Sequence, residues 1–395
     1  MVTGNVSCCP NIITREYGKP LRILHQLGGL RRGGIETWLM HLLRGSDRRH
    51  FQMDFFVRGA EKGEYEDEAE ALGSKIGRSF CHRHPLNFEA EVRAFVQKNG
   101  PYDILHSHLS EYDGLVMWIA ARCGIKVRIS HSHNDTRTID SRAPLSRRAC
   151  LAAGKRLITA YSTHRLAASR HAASSQFGKS WTSDPRAQVL YCGIDPAPFV
   201  QQKDTNPPEL RRGLGFPDGA FIIGHVGRFV PQKNHAFILN VIALLARNNP
   251  AVHLLLVGDG PLLPDTKLRA SRAGLESRLV ILESRPDIPR LMLDAMDLFT
   301  LPSLHEGLPL VAIEAQAAGL PCVVSHAVPE EACVRPGNIE FLSLQLSAAQ
   351  WADRLRRYMA NPPSRLRPGC LSGTPFDIAV SAGRLFELYQ HSVHS

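Results

Sequence analysis

Short apolar runs rich in Val, Ile, Leu and Phe recur along nearly the whole chain, and between them lie stretches in which apolar residues return every three or four positions. The short runs are too uniformly apolar to have a wet face, so they read as strands buried on both sides; the periodic stretches read as helices that cover them. In the first half the predicted strands are residues 21–27, 52–57, 102–107, 127–131 and 188–191, with helical patterns such as 35–43 and 88–97 between them. In the second half they are residues 221–226, 253–257, 279–282, 298–301 and 322–325. This alternation predicts an α/β fold of βαβ units and parallel sheets. Residues 195–220, rich in Pro, Gly and charge and without clean periodicity, read as the linker between two such halves.

Length agrees with that division, because 395 residues exceed the usual single core and accommodate two of about 150 to 200 residues. The domains expected are 21–200 and 201–376, preceded by a disordered extension over 1–20 and followed by a C-terminal helix over 377–395. Two doubly wound domains facing one another would form a cleft at the carboxyl ends of both sheets, where open α/β sheets take their ligands. No apolar run approaches the ~18 residues of a membrane span, and the N-terminus lacks the basic and apolar regions of a secretion signal, so a cytoplasmic protein is expected. Nine scattered cysteines without a C-x-x-C argue against a disulfide framework and a cysteine-based zinc site.

The formal charge of +10 points to acidic partners. It is concentrated in residues 141–180, which contain no Asp or Glu but hold Arg142, Arg147, Arg148, Lys155, Arg156, Arg165, Arg170 and Lys179. That segment is either a solvated helix face or a patch for an anionic membrane surface or acceptor. Nucleic acid is disfavoured as a partner, since the chain shows neither an aromatic stacking platform nor a reader motif.

The candidate chemistry sits at strand ends. The first strand runs into a glycine-rich turn, GGLRRGGIE, in which Gly33 and Gly34 open a helix whose N-terminus suits a phosphate. In the second half GHVGRFVPQKN places Arg228 directly after a strand and Lys233 five residues later; a planar fork and a point charge together suit two bridged phosphates. After the strand at 298–301 comes HEGLPLVAIE, with Glu306 in the turn, Pro309 near the first position of a helix over 310–318, and Glu314 just over one turn inside. No His or Asp completes a metal-ligand set around these acids. Carboxylates also accept hydrogen bonds from vicinal hydroxyls, as offered by a sugar or a ribose, so the acids are read as holding hydroxyls while amides and cations hold phosphate.

Together with LGGLRRGGIE, YDILHSHLSEYDG, ISHSHN, LVGDGP and EAQAAGLPCVVS, in that order, these motifs resemble the retaining glycosyltransferases of family 4, and most nearly the branch that makes extracellular and capsular polysaccharides. The resemblance implies the GT-B architecture of two Rossmann-like domains, and transfer of a sugar from a nucleotide donor, expected to be UDP-linked, to a saccharide or lipid-linked saccharide at the inner membrane face. It implies that Arg228 and Lys233 neutralise the donor diphosphate, that Glu306 sits by the donor sugar and Glu314 by the ribose, and that Gly33 and Gly34 close near the diphosphate. The amides of Gly307, Leu308 and Leu310 would line the pocket, Arg285 the nucleobase, and His133 the transferred sugar, with His131 as the alternative. No enzyme nucleophile, cofactor or metal is implied, and the C-terminal helix is expected to cross back to the first domain.

Three positions depart from the family pattern: Cys192 where Asn is usual, Glu283 where Gly is common, and His326 where an acid is more familiar. The rival readings are a sugar-nucleotide epimerase of the UDP-N-acetylglucosamine 2-epimerase type, with the same architecture, and a basic nucleic-acid-binding protein.

Overall fold

The computed structural model describes residues 19–80, 84–200, 206–361 and 370–394, so all but the last two residues of the expected N-terminal extension lie outside the described part. The chain divides into two units, one made of residues 1–194 and 373–395, the other of residues 195–372.

The first unit holds seven strands, β1 (Leu21–Leu27), β2 (Phe51–Arg58), β3 (Ile76–Ser79), β4 (Ile104–Ser107), β5 (Val127–Ser132), β6 (His164–Ala167) and β7 (Ala187–Val189), in the spatial order 3-2-1-4-5-6-7. All its pairings are parallel. Central strand β1 is buried over its last five residues, as a strand covered on both faces must be. The helix Gly34–Gly45 buries Trp38, Leu39, Met40, Leu42 and Leu43 against the unit. Helix Ile378–His394 belongs to the same unit: Phe386 stacks on Phe51 at 4.5 Å, and Tyr389 is fully buried.

The second unit holds β8 (Phe221–Val226), β9 (Val252–Val257), β10 (Leu279–Leu282), β11 (Leu298–Leu301), β12 (Cys322–Ser325) and β13 (Ile339–Leu342), in the order 10-9-8-11-12-13 and again parallel throughout. Counted from its first strand this is the 3-2-1-4-5-6 arrangement of the Rossmann fold, with the reversal of direction between β8 and β11. Its core packs Ile223, Leu254, Leu256 and Leu298 from the strands against Ile238, Ile242, Leu245, Trp351 and Leu355 from the helices His235–Ala246 and Ala348–Ala360.

The long apolar runs are all strands, within a residue or two of their expected ends. Three strands escaped the pattern: β3 (IGRS), β6 (HRLA) and β13 (IEFL) are four residues long and each carries a charged side chain, so none forms an apolar run. The segment read as linker contains a helix of its own, Pro207–Gly213, capped by Asn206, whose side chain accepts from the Glu209 amide. Pro309 is the residue before its helix and not the first residue in it, and that helix ends at Ala317.

Helix Leu145–Tyr161 buries only Ile158 of its seventeen residues, which is far less than an amphipathic helix normally needs. What fixes it is a backbone approach to the helix Asp113–Arg122: a Cβ on Gly114 would lie 2.2 Å from the carbonyl oxygen of Gly154. Gly114→Ala, ordinarily favourable within a helix, is therefore expected to destabilise the protein by about 1–3 kcal/mol. Chemical denaturation of the variant measures this, and an unchanged midpoint would rule out the close crossing.

Candidate functional site

In the second unit the candidate residues follow the carboxyl ends of β8 and β11, neighbours at the topological switch point. Gly227 leaves β8 and donates to the Val257 carbonyl, and Phe229 accepts from Leu262. Gly258 and Gly260, the glycines of LVGDGP, have φ of +147° and +140°, and a Cβ on them would meet the Gly227 oxygen at 2.2 Å and the Phe229 oxygen at 2.7 Å. Only glycine meets both demands, so this loop presses the 227–229 turn into place. Asn234 adopts the left-handed conformation (φ 57°, ψ 43°) just before the helix His235–Ala246, and its amide donates to the Pro302 carbonyl at 3.2 Å. That bond ties the loop after β8 to the loop after β11.

Lys233 reaches across the same boundary. Its Nζ donates to Glu306 Oε1 at 2.6 Å, with both side chains largely buried. Gln232 Nε2 holds the other carboxylate oxygen at 3.1 Å and the His305 carbonyl at 3.0 Å, while the Leu304 amide donates to the Gln232 carbonyl at 2.8 Å. Such a pair survives burial only when its remaining hydrogen-bonding capacity is met, and Gln232 supplies part of that. Arg228 is exposed at the end of β8, and no described group hydrogen-bonds its guanidinium.

Beyond Glu306 the chain turns through buried Gly307, Leu308 and Pro309 into the helix Leu310–Ala317. Among the described residues the amides of Gly307, Leu308, Leu310 and Val311 meet no acceptor, so the helix start presents a row of open N–H groups. Glu314 lies four residues into this helix, partly open to solvent but enclosed enough that burial pushes its carboxyl up to about 7. No described group hydrogen-bonds this side-chain carboxyl, although the Glu314 carbonyl accepts from the Ala318 amide. Arg285 follows β10, where its Nη2 donates to Asp287 at 2.6 Å; the carboxylate beside it holds the guanidinium firmly charged.

The remaining candidates are in the first unit. Gly33 caps the helix Gly34–Gly45 in an extended conformation, beside the Glu36 carboxylate. His131 and His133 are joined by His25, His106 and His108 in a cluster of five buried imidazoles at the ends of β1, β4 and β5. His133 Nε2 lies 2.8 Å from His108 Nδ1, and its Nδ1 lies 3.8 Å from Cys192 Sγ, so both of its nitrogens face neighbours in this unit. His131 Nδ1 lies 3.1 Å from His106 Nε2. Burial holds all five neutral, His25 and His133 being lowered to about 3. Sequence reasoning named only two of the five. The missed signal is the repeated H-S-H at 106–108 and 131–133: a period of two puts both histidines of each strand on one face, and adjacent parallel strands bring the pairs together. Gln232 and Asn234 were missed as well; their roles depend on a loop 70 positions away in sequence.

Two Rossmann-like units, with a cation, an acid and a helix N-terminus gathered at one switch point of the second, place the chain in a class of α/β proteins suited to a phosphorylated ligand. Comparison makes the class specific: residues 206–369 match the profile of the glycosyl transferases group 1, and residues 33–187 that of the glycosyl transferase 4-like domain. The putative glycosyltransferase EpsF of Bacillus subtilis is 33% identical over 94% of this chain and 97% of its own. The UDP-Gal:alpha-D-GlcNAc-diphosphoundecaprenol alpha-1,3-galactosyltransferase of Escherichia coli is 33% identical over 58% of this chain and 59% of its own. Among solved structures, Anabaena HepE in complex with UDP and glucose superposes with a TM-score of 0.71 at 19% identity, covering 95% of this chain and 97% of that one. The lipopolysaccharide glycosyltransferase WaaG gives 0.69 at 17% identity, covering 94% and 98%. The chain belongs to the group 1, family 4 glycosyltransferases, with the GT-B fold, and it is an enzyme of that kind.

The Glu314 carboxyl gives a pH test. An ordinary carboxyl ionises in the unfolded chain near 4.5, whereas Glu314 keeps its proton to about 7 in the folded one, so folding stability falls as pH rises through that interval. The loss amounts to at most about 3 kcal/mol, at 1.36 kcal/mol per pH unit. Glu314→Gln removes it, and the variant's stability relative to the parent is expected to rise between pH 4.5 and 7 and stay level above; urea titrations at four pH values would show a flat difference if Glu314 were ordinarily acidic.

Proposed function

We propose that the protein is a retaining transferase that moves a sugar from a UDP-linked donor to a saccharide or lipid-linked saccharide acceptor in the synthesis of an extracellular polysaccharide. The observation that carries this reading is the switch point of the second unit, where Lys233, Glu306, the open amides from Gly307 to Val311, and Glu314 follow one another along two adjacent loops. The donor named for the Escherichia coli relative is UDP-Gal, its acceptor is a diphosphoundecaprenol-linked sugar, and the Anabaena structure holds UDP and glucose. These support the choice of nucleotide and of acceptor class.

In this reading the open amides and Lys233 take the diphosphate, Arg228 approaches it from solvent, and Glu314 accepts hydrogen bonds from the ribose hydroxyls. Glu306, held by Lys233 and Gln232, lies by the sugar ring. As the bond from the anomeric carbon to the diphosphate breaks, its electron pair passes to a phosphate oxygen, and Lys233 and Arg228 stabilise the charge that forms. The acceptor hydroxyl bonds to the anomeric carbon from the same face and gives its proton to that departing oxygen, which keeps the configuration without an enzyme nucleophile. Cations and amides carry the diphosphate, so the step calls for no metal.

For the acceptor, a small depression of about 130 Å³ in the first unit is lined by Arg147 and Lys155, with Asp140, among apolar Ile139, Leu151 and Ile158. Cationic and apolar walls together suit a phosphate carried on a lipid. Leu145, 78% exposed, and the exposed Arg142, Arg148 and Arg156 give the neighbouring surface the character of an anionic-membrane contact. No described helix is long and apolar enough to cross a membrane.

Lys233→Ala and Glu314→Ala are each expected to lower kcat/KM by roughly 30- to 1,000-fold, about 2–4 kcal/mol of transition-state stabilisation. Because Lys233→Ala also strands a buried Glu306, its thermal unfolding is measured alongside. Wild-type turnover by both variants with every activated sugar tested would refute the site. Incubation with UDP-sugar alone separates the epimerase rival: the transferase yields only slow hydrolysis, with the released product's configuration read by NMR, whereas an epimerase converts the donor fully.

A further inference from the structure

The turn after β1 is held from outside itself. Four of the seven residues from Gly28 to Gly34 are glycine, and a Cβ on Gly28 or Gly29 would meet nothing within 4 Å, so the turn has little side-chain packing of its own. Its anchor is Leu30, fully buried, whose carbonyl accepts from the Tyr65 amide at 2.9 Å. Gly63 presses on the same peptide: a Cβ there would lie 2.3 Å from the Leu30 oxygen and 3.0 Å from the Arg31 nitrogen. Beyond the turn, the Tyr65 hydroxyl lies 3.0 Å from Thr37 Oγ1, in the first turn of the helix Gly34–Gly45. The segment after β2 therefore grips the chain on both sides of Gly33 and Gly34.

What stiffens that segment is one buried ion pair. Glu66, 5% exposed, takes the Gly63 amide on Oε1 at 2.7 Å and Arg78 Nη2 on Oε2 at 2.5 Å. The other end of the guanidinium, Nη1, donates to the carbonyls of Gly59 and Glu61, both at 2.8 Å. A buried pair is tolerated when its remaining hydrogen-bonding groups are met, and here the backbone of a single loop meets them. Arg31 and Glu61 also pair, but both side chains are largely exposed, so that contact adds little. Arg78 stands on β3, the loop follows β2 and the turn follows β1, and these three strands are neighbours in the sheet. The pair thus relays position across three adjacent strand ends, at the edge of a doubly wound sheet where ligands are taken.

We propose that Glu66 is a positioning residue for glycosyl transfer: with Arg78 it locks the 59–65 loop, and through Gly63 and Tyr65 that loop fixes the turn that brings Gly33 and Gly34 to the donor diphosphate. The inference rests on the reading of that turn as a phosphate-facing element, and Glu66 itself touches no substrate. Without the lock the sheet keeps its fold but the glycine-rich turn spreads over many positions, so that binding a diphosphate has to order it. Uridine, which carries no phosphate, is insensitive to that ordering.

The test uses full-length protein. In the parent the Gly63 and Tyr65 amides are expected to resist hydrogen exchange although they lie outside helices and strands, and in Glu66→Ala the Tyr65 amide should exchange about 10-fold faster while β1 and β2 are unchanged. Titration of Glu66→Ala should show UDP bound about 10-fold more weakly and uridine bound as in the parent. A purely structural loss lowers the folded fraction and affects both ligands alike. Glu66→Gln, which can still accept from Gly63, is expected to stay within about threefold of the parent. If Glu66→Ala fails to fold, Tyr65→Phe decides: loss of its hydroxyl should weaken UDP about threefold and leave uridine unchanged. Lys233→Ala, run alongside, separates this inference from the donor-site reading. If Lys233→Ala loses UDP affinity and Glu66→Ala does not, Glu66 has no positioning role; if both keep it, the donor site is misplaced and the inference goes with it. Free exchange at Tyr65 in the parent, or equal losses for UDP and uridine, would also overturn it.

Discussion

A parallel sheet covered by helices on both faces can meet polar ligands only at its ends, because its faces are committed to apolar packing. In both units this constraint places the candidate polar groups at or near the carboxyl ends of strands: Lys233 and Glu306 after β8 and β11, and the imidazoles towards the ends of β1, β4 and β5. The two units solve the resulting problem of buried polarity differently. The second balances a positive charge against a negative one and meets the remaining valence with Gln232. The first uses uncharged rings that hydrogen-bond in chains, which avoids the desolvation of ions but leaves nitrogens at the chain ends unsatisfied.

Those choices carry through to chemistry. A charge pair at a helix start is a place where a third, anionic group can be accommodated by sharing the lysine, and the neighbouring amides are already aligned for it. Glu314, one turn further in, is different: with no described partner and its proton held to about 7, it is poised to exchange solvent for hydroxyl groups at modest cost. A neutral imidazole cluster has no such attraction for phosphate.

How much of this was legible in the sequence depended on range. The strands β1, β8, β9, β11 and β12 were plain, because a doubly covered strand has to be an apolar run of the right length. Strands β3, β6 and β13 were not, since four residues with a charge among them carry no periodic signal, and their pairing is decided by neighbours distant in sequence. At the site, the strand-end positions of Arg228, Lys233, Glu306 and Glu314 followed from local spacing, whereas the pairing of Lys233 with Glu306 joined two loops and had no local mark. The two H-S-H repeats were visible as motifs, but the cluster they form with His25 has no local mark, because it appears only when β1, β4 and β5 lie side by side.

The placement of Tyr389 has a consequence for the order in which the molecule is made. Its hydroxyl completes the His106 hydrogen bond at the heart of the first unit, yet it belongs to a helix that leaves the ribosome after every strand of both sheets. At translation rates of about 5–20 residues per second, roughly ten to forty seconds separate the synthesis of β7 from that of this helix, an interval long enough for the second unit to fold in between. The nascent N-terminal half therefore waits, unfinished and with an open seat for an aromatic side chain, while the later half matures ahead of it.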